Sequence, residues 1–345
     1  MKTEIYGRTK DGKEVHEYTV ENKNGMQMTV MDFGAILSKI IVLDKNGNKR
    51  DVALACDCME SYFANWCFLG SVVAPSANRI AKAEAPIDGV VYHLEANVGE
   101  NNLHTSMVNG SNKRMWTAKE TENGVRFILA LEDMEYGLPG KREIAVTYTL
   151  TDENEIVIDF EGDSDKNTLM NMTNHTYFNL NGHASGTVLD HELRLCASHF
   201  TPVTEDSIPT GEIVSVKGTP LDFTEWKRIG KDMNVDYEQI KRAGGFDHNF
   251  VIDDYDGTVK EIARAKAEES GILLTVLTDL PAVQFYAGNA LTAEKGKEGM
   301  TYVRHSGFCL ETQYYPDSVH HDNFPSTIFG PERPFRSKTI FKFGV

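Results

Sequence analysis

The chain is 345 residues long, 41% hydrophobic and 10% aromatic, and carries a formal net charge of -16 at pH 7. Such an acidic surplus excludes nucleic acid and anionic membrane surfaces as partners, because both need a basic face. No run of about 18 apolar residues occurs, and residues 1–20 are charged throughout without a signal-type apolar stretch, so a cytoplasmic protein with no membrane partner is expected.

In chain order, residues 26–43 read as extended, and Lys45-Asn46-Gly47-Asn48 is a turn signal before a strand at 51–55. Residues 58–64 suit a short helical turn. Five scattered cysteines, an odd number, read as reduced thiols, and Cys56-Asp57-Cys58 is too closely spaced for a zinc knuckle. Over 124–131, Val125, Phe127, Leu129 and Leu131 share one face. A hairpin follows: Ile144, Val146, Tyr148 and Leu150 alternate, Asp152-Glu153-Asn154 turns, and Ile156, Ile158 and Phe160 alternate again. The segment 224–242 holds one or two short helices. Further strands are expected at 249–253, 259–266, 271–279, 283–286 and 337–343. With no linker, composition shift or repeat, residues 1–345 read as one large antiparallel β domain of two packed sheets.

Three strands share one design. In residues 171–180, NMTNHTYFNL, Asn171, Thr173, His175, Tyr177 and Asn179 occupy one face, opposite Met172, Phe178 and Leu180. A face of hydrogen-bonding groups is ill suited to a dry core, since each polar group buried without a partner costs about 1–3 kcal/mol. It is well suited to a hydroxyl-rich ligand. In residues 281–286, Gln284 and Tyr286 oppose Val283 and Phe285; in residues 307–313, Cys309, Glu311 and Gln313 oppose Phe308 and Leu310. If these strands lie in one sheet, their polar groups converge on a groove. Asn78-Arg79, His104 and Asp247 sit at turn-like sites. Taken singly, Arg79 is a salt-bridge residue, Asp247 a turn former and His104 a structural histidine.

Taken together, NRI, NLH, TNHTYFNL, FTPVTEDSIPTGEI, TPLDF, GGFDHNFV, VQFYAGN and GFCLETQYYPDSVHHDNFPSTIF occur in the order and spacing of the aldose 1-epimerases (galactose mutarotases). The chain resembles that family from about residue 25 to its end. The resemblance implies an all-β, large antiparallel β-supersandwich with few short helices. It also implies cofactor-free, metal-free interconversion of the α and β anomers of a free aldohexose. By position, Glu311 is the expected general base, His175 the general acid, and His104 an assistant near the ring oxygen. Asn78, Arg79, Tyr177, Asp247 and Gln284 match positions that hold sugar hydroxyls.

The chemistry stands without the family. Opening a pyranose hemiacetal removes a proton from the anomeric hydroxyl and adds one to the ring oxygen; rotation about C1–C2 and reclosure invert the anomer. One carboxylate and one proton-loaded imidazole suffice. Since histidine is mostly neutral at pH 7, Asp247 or Glu311 is expected to keep His175 charged. The expected partner is a small monosaccharide, and the protein a monomer or homodimer. The alternatives are a sugar-binding sensor on the same fold, or a glycoside hydrolase using Asp247 and Glu311 as its carboxyl pair. Thr105-Ser106, the loop 107–114 and the segment 81–85 depart from the family's glycine-bearing pattern, which places substrate preference on that side of the groove.

Overall fold

The structure, a computed structural model, describes residues 1–345. Its largest sheet has nine antiparallel strands. In spatial order they are Thr117–Thr121, Gly124–Leu131, Arg142–Leu150, Glu155–Ser164, Phe335–Gly344, Leu273–Thr278, Lys260–Lys266, Glu192–Leu195 and Lys227–Arg228. The expected hairpin forms with Val146 opposite Phe160 and Tyr148 opposite Ile158. The final strand lies between Glu155–Ser164 and Leu273–Thr278, joining the two halves of the sheet. Strand alternation explains the assembly: Val125, Phe127, Val146, Ile158 and Phe341 all turn to one side and are fully or almost fully buried.

Two five-stranded sheets complete the framework. One is an N-terminal meander, Lys2–Arg8 through Lys49–Asp51. The other runs in the order Val214–Ser215, His199–Phe200, Asp247–Val251, Ala282–Tyr286, Cys309–Gln313. All three sheets feed one apolar cluster, with Met28 and Ile40 from the meander, Phe127 and Ile158 from the large sheet, and Phe250, Phe285 and Leu310 from the third. This is the all-β sandwich expected from the sequence. The only α-helices are Met59–Ala64 and Glu238–Ala243, and no helix is long and apolar enough to cross a membrane.

Three local expectations differ from the structure. The strand placed at 51–55 instead covers Lys49–Asp51, and Ala53 makes only a single bridge to Phe178. The segment 224–242 contributes an edge strand, Lys227–Arg228, before a single helix. Residues 171–180 are not one strand: only Thr173–Asn174 pairs, with Val72–Val73, while Asn171 and Phe178 bridge Ser76, Ala53 and Phe308 singly. The segment is a buried crossing between sheets. Its asparagines bond to neighbouring backbone, Asn171 to Tyr314 through both ends of its amide and Asn179 to Gly186 and Ser306. They are therefore structural, and of the polar face only His175 and Tyr177 reach the groove.

Candidate active site

The third sheet supplies the floor of a cleft. In register, Asn249 lies opposite Gln284, and Gln284 opposite Glu311, so these three residues share one face with Asp247, Tyr286, Cys309 and Gln313. Phe250, Val283, Phe285 and Leu310 point the other way into the core. The sequence alternation is thus realised across three hydrogen-bonded strands. The His175 segment is not a fourth strand of this sheet; it is held against it by the Phe178–Phe308 bridge.

The opposite wall comes from two short paired strands, Arg79–Ile80 and Asn102–Leu103. Asn78 and His104, at their ends, both take left-handed backbone conformations and clasp each other. The His104 N–H donates to the Asn78 carbonyl and the Asn78 N–H donates to His104 Nδ1, each at 3.0 Å. With Nδ1 accepting, the proton of neutral His104 sits on Nε2. Thr105, also left-handed, is an uncommon place for a β-branched residue. Its hydroxyl accepts from the Ser76 N–H at 3.0 Å and donates to the Ser76 carbonyl at 2.9 Å, which offsets the strain. Lys82 and Ala83 likewise have positive φ, where glycine would be unstrained. Thr105 and Ser106 are expected from the sequence to shape sugar preference, but the structure sets them back from the cleft. Neither lines the cleft, and the residue of that loop which does is Met107.

The cleft has a volume of about 360 Å3, within the range usual for small-molecule sites. All eight residues singled out in the sequence line it: Asn78, Arg79, His104, His175, Tyr177, Asp247, Gln284 and Glu311. At its centre, His175 Nε2 lies 3.6 Å from Glu311 Oε1. The second carboxyl oxygen of Glu311 is buried with no hydrogen-bond partner in the protein. The His104 and His175 rings meet edge to face at 5.4 Å, and Phe68 packs on both. Asp247 accepts from Gln284 Nε2 at 2.6 Å through one oxygen and faces Arg79 Nη2 at 3.4 Å through the other.

Tyr177 is placed differently from expectation. Its ring stacks on His175 at 5.0 Å, but its hydroxyl donates to the Cys67 carbonyl at 2.9 Å and is aimed away from a ligand. Residues the sequence reading did not assign to the site also line it, among them Phe68, Trp66 and Tyr286. Tyr286 had a legible signal, two places after Gln284 on the same face; Phe68 and Trp66, on an irregular loop, had none. Cys309 Sγ lies 3.5 Å from His175 Nδ1, on the ring edge away from Glu311.

Burial governs the protonation of the centre. Desolvation pushes the Glu311 carboxyl well above its usual range; the nearby Asp247 charge adds to this and Arg79 opposes it. Desolvation takes His175 down to about 4, against its own backbone carbonyl and Asp247, which favour the charged form. His104 is lowered well below the usual 6.5, first by burial and then by the adjacent His175 and Arg79. This direction runs against the expectation that a neighbouring carboxylate keeps His175 charged: loss of hydration opposes the charge on both His175 and Glu311. Ligand atoms of His104, His175 and Glu311 lie within 4.8 Å of one another, a donor set that could also hold a divalent ion.

The fold and this cleft define a β-sandwich enzyme of the galactose mutarotase-like kind. The sequence profile of the family described as aldose 1-epimerase matches residues 16–342. The chain is 40% identical over 323 residues to a galactose mutarotase from Bos taurus, covering 93% of this chain and 92% of that protein. It is 34% identical over 336 residues to an aldose 1-epimerase from Escherichia coli (strain K12), covering 96% of each. Among solved structures, an aldose epimerase homologue from C. elegans superposes with a TM-score of 0.87 at 31% identity, over 95% of this chain and 98% of that one. A galactose 1-epimerase from Lactobacillus acidophilus NCFM superposes with a TM-score of 0.86 at 28% identity, over 99% and 98%. The chain belongs to the aldose 1-epimerase family, whose members are isomerases acting on carbohydrates.

Proposed function

We propose that this protein interconverts the α and β anomers of a free aldohexose, glucose or galactose, by acid–base opening and reclosure of the pyranose ring. The observation that carries this reading is the imidazole–carboxyl contact of His175 and Glu311, buried in a cleft that also presents Asn78, Arg79, Asp247 and Gln284. Glu311 removes the proton of the anomeric hydroxyl and His175 donates one to the ring oxygen, with His104 Nε2–H directed to the same oxygen. Asp247, Gln284, Asn78 and Arg79 hold the remaining hydroxyls. Tyr177 supports the His175 ring by stacking.

Burial, which favours the uncharged form of both groups, bears on the end state of these steps. The charge-separated pair, Glu311 carboxylate with His175 imidazolium, carries the same single proton as the neutral pair, so reaching it needs no exchange with solvent. Ring opening then moves one proton onto Glu311 and one off His175. The pair is left uncharged beside the aldehyde, which is the state that burial favours. Reclosure on the other face of C1 reverses both transfers and releases the opposite anomer. Each group contributes about 10²–10⁴-fold, sufficient for a reaction that already proceeds in water.

In this reading residues 1–345 act as one domain, supported by the shared core of the three sheets. The hydrolase alternative is disfavoured because both oxygens of Asp247 already face protein donors, Gln284 and Arg79. Polarimetry of freshly dissolved α-glucose and α-galactose tests the proposal. Faster decay of rotation with no new reducing ends is expected; no acceleration with either sugar would overturn it.

A further inference from the structure

Gln313 is fully buried and does not line the cleft, yet it is the junction of the hydrogen bonds that hold the cleft's polar residues. The Arg79 backbone N–H donates to Asn78 Oδ1 at 2.9 Å, and Asn78 Nδ2 donates to Gln313 Oε1 at 3.4 Å. Gln313 Nε2 donates to Gln284 Oε1 at 3.3 Å and to Asn249 Oδ1 at 3.1 Å. Gln284 Nε2 then donates to Asp247 Oδ1 at 2.6 Å, and Asp247 Oδ2 faces Arg79 Nη2 at 3.4 Å. The bonds form a ring that leaves from Arg79 and returns to it.

The direction of this ring is fixed at both ends. A backbone N–H can only donate and an ionised carboxylate can only accept, so each carboxamide between them has one permitted orientation. Turning Gln313 over would set its NH2 against that of Asn78 and its oxygen against those of Gln284 and Asn249. Turning Gln284 over would set an amide oxygen against the Asp247 carboxylate. Gln313 is the one member that touches three of the others, and it ties the floor of the cleft to the Asn78-Arg79 wall.

Resting on the reading of the cleft as a sugar site, we infer that Gln313 is a positioning residue. It fixes the orientation of Gln284, and through it the Asp247 carboxylate, so that both are preset to receive sugar hydroxyls. Loss of such a role weakens binding in ground state and transition state alike, and so raises KM while leaving kcat. General damage to the strand would instead displace Glu311, two residues away, and appear in kcat.

The test uses the full chain with Gln313→Met, which keeps the volume but removes both functions, and Gln313→Glu, which turns the two donated bonds into acceptor–acceptor contacts. The expected result for Gln313→Met is a KM for galactose raised about tenfold or more with kcat within about threefold, and a larger KM rise for Gln313→Glu. The double variant Gln284→Met/Gln313→Met should be no worse than Gln284→Met alone. An unchanged KM, a fall in kcat at constant KM, or additive effects would overturn the inference. Wild type that accelerates mutarotation beside a normal Gln313→Met sinks only this inference; wild type without acceleration sinks the function. In either case, and if a variant fails to fold, the wild-type carboxamide protons of Gln313 and Gln284 can be followed by NMR. Protection from solvent exchange supports the ring, and free exchange of the Gln313 protons overturns it.

Discussion

His175 Nε2 lies 3.6 Å from Glu311 Oε1, and the two side chains are only 6% and 3% exposed. An imidazole and a carboxyl this close in water would form an ion pair. Here burial reverses that preference, lowering one group and raising the other. Burial thus favours the uncharged form of each group, and the proposed reaction proceeds by moving a proton between the substrate and this pair.

Glu311→Gln should make the protein more stable at alkaline pH. A carboxyl whose folded pKa is raised favours the fold below its ordinary 4.5 and opposes it as pH climbs through the folded value. Glutamine keeps the shape without that penalty. Melting temperatures of the variant and wild type should converge near pH 4.5 and diverge in the variant's favour as pH rises above it. A variant less stable than wild type at pH 9 would contradict the assigned direction.

Acid should weaken the fold above the pH range of ordinary exposed carboxylates. His175, His191 and His248 are buried and held at about 4, each chiefly by desolvation, and burial likewise lowers His104 well below 6.5. Because the unfolded histidines titrate near 6.5, the unfolded chain takes up protons first. The stability these groups contribute is fully present above pH 6.5 and is lost as pH falls towards 4, by up to roughly 3 kcal/mol for each of the three held at about 4. His191 Nε2 accepts the Leu180 N–H at 2.9 Å, a bond its protonation forbids. Urea unfolding at pH 7.5 and 4.5 should show the loss, and His191→Gln should reduce its slope.

Thr105→Gly should lower stability by about 1 kcal/mol and leave the ranking of sugars unchanged. Glycine relieves a left-handed backbone but removes the two hydroxyl bonds to Ser76, and a buried group left unpartnered costs about 1–3 kcal/mol. Chemical denaturation and rates on a panel of aldoses check both parts.

Met107→Ala should do the reverse, altering the relative rates on that panel with little effect on stability. Met107 is the part of the departing loop that lines the cleft, and its flexible side chain presents apolar surface there. Equal relative rates in wild type and variant would count against it.

How much of this was legible in the sequence depended on whether a residue's surroundings were local. Strands with regular alternation, such as Arg142–Leu150 and Glu155–Ser164, were readable because their inward face is apolar along its whole length. Gln284 and Glu311 were readable for the same reason, their polar face being one side of a regular pleat. Residues 171–180 alternate equally well but form an irregular crossing, because their bonding partners come from three distant segments. The charge state of His175 was not legible. It is decided by burial among Phe68, Tyr177 and His104, of which its own alternating pattern specifies only Tyr177. Tyr177 was readable as a cleft residue, but the fate of its hydroxyl depended on the Cys67 carbonyl, 110 positions away in the chain.

The most direct test is the decay of optical rotation of fresh α-galactose with wild type, Glu311→Gln and His175→Asn, alongside calorimetric binding of galactose to all three. Wild type should accelerate the decay and each variant should lose about 10²–10⁴-fold of that acceleration while still binding sugar. Either variant turning over at close to the wild-type rate would contradict the assignment of proton transfer to this pair.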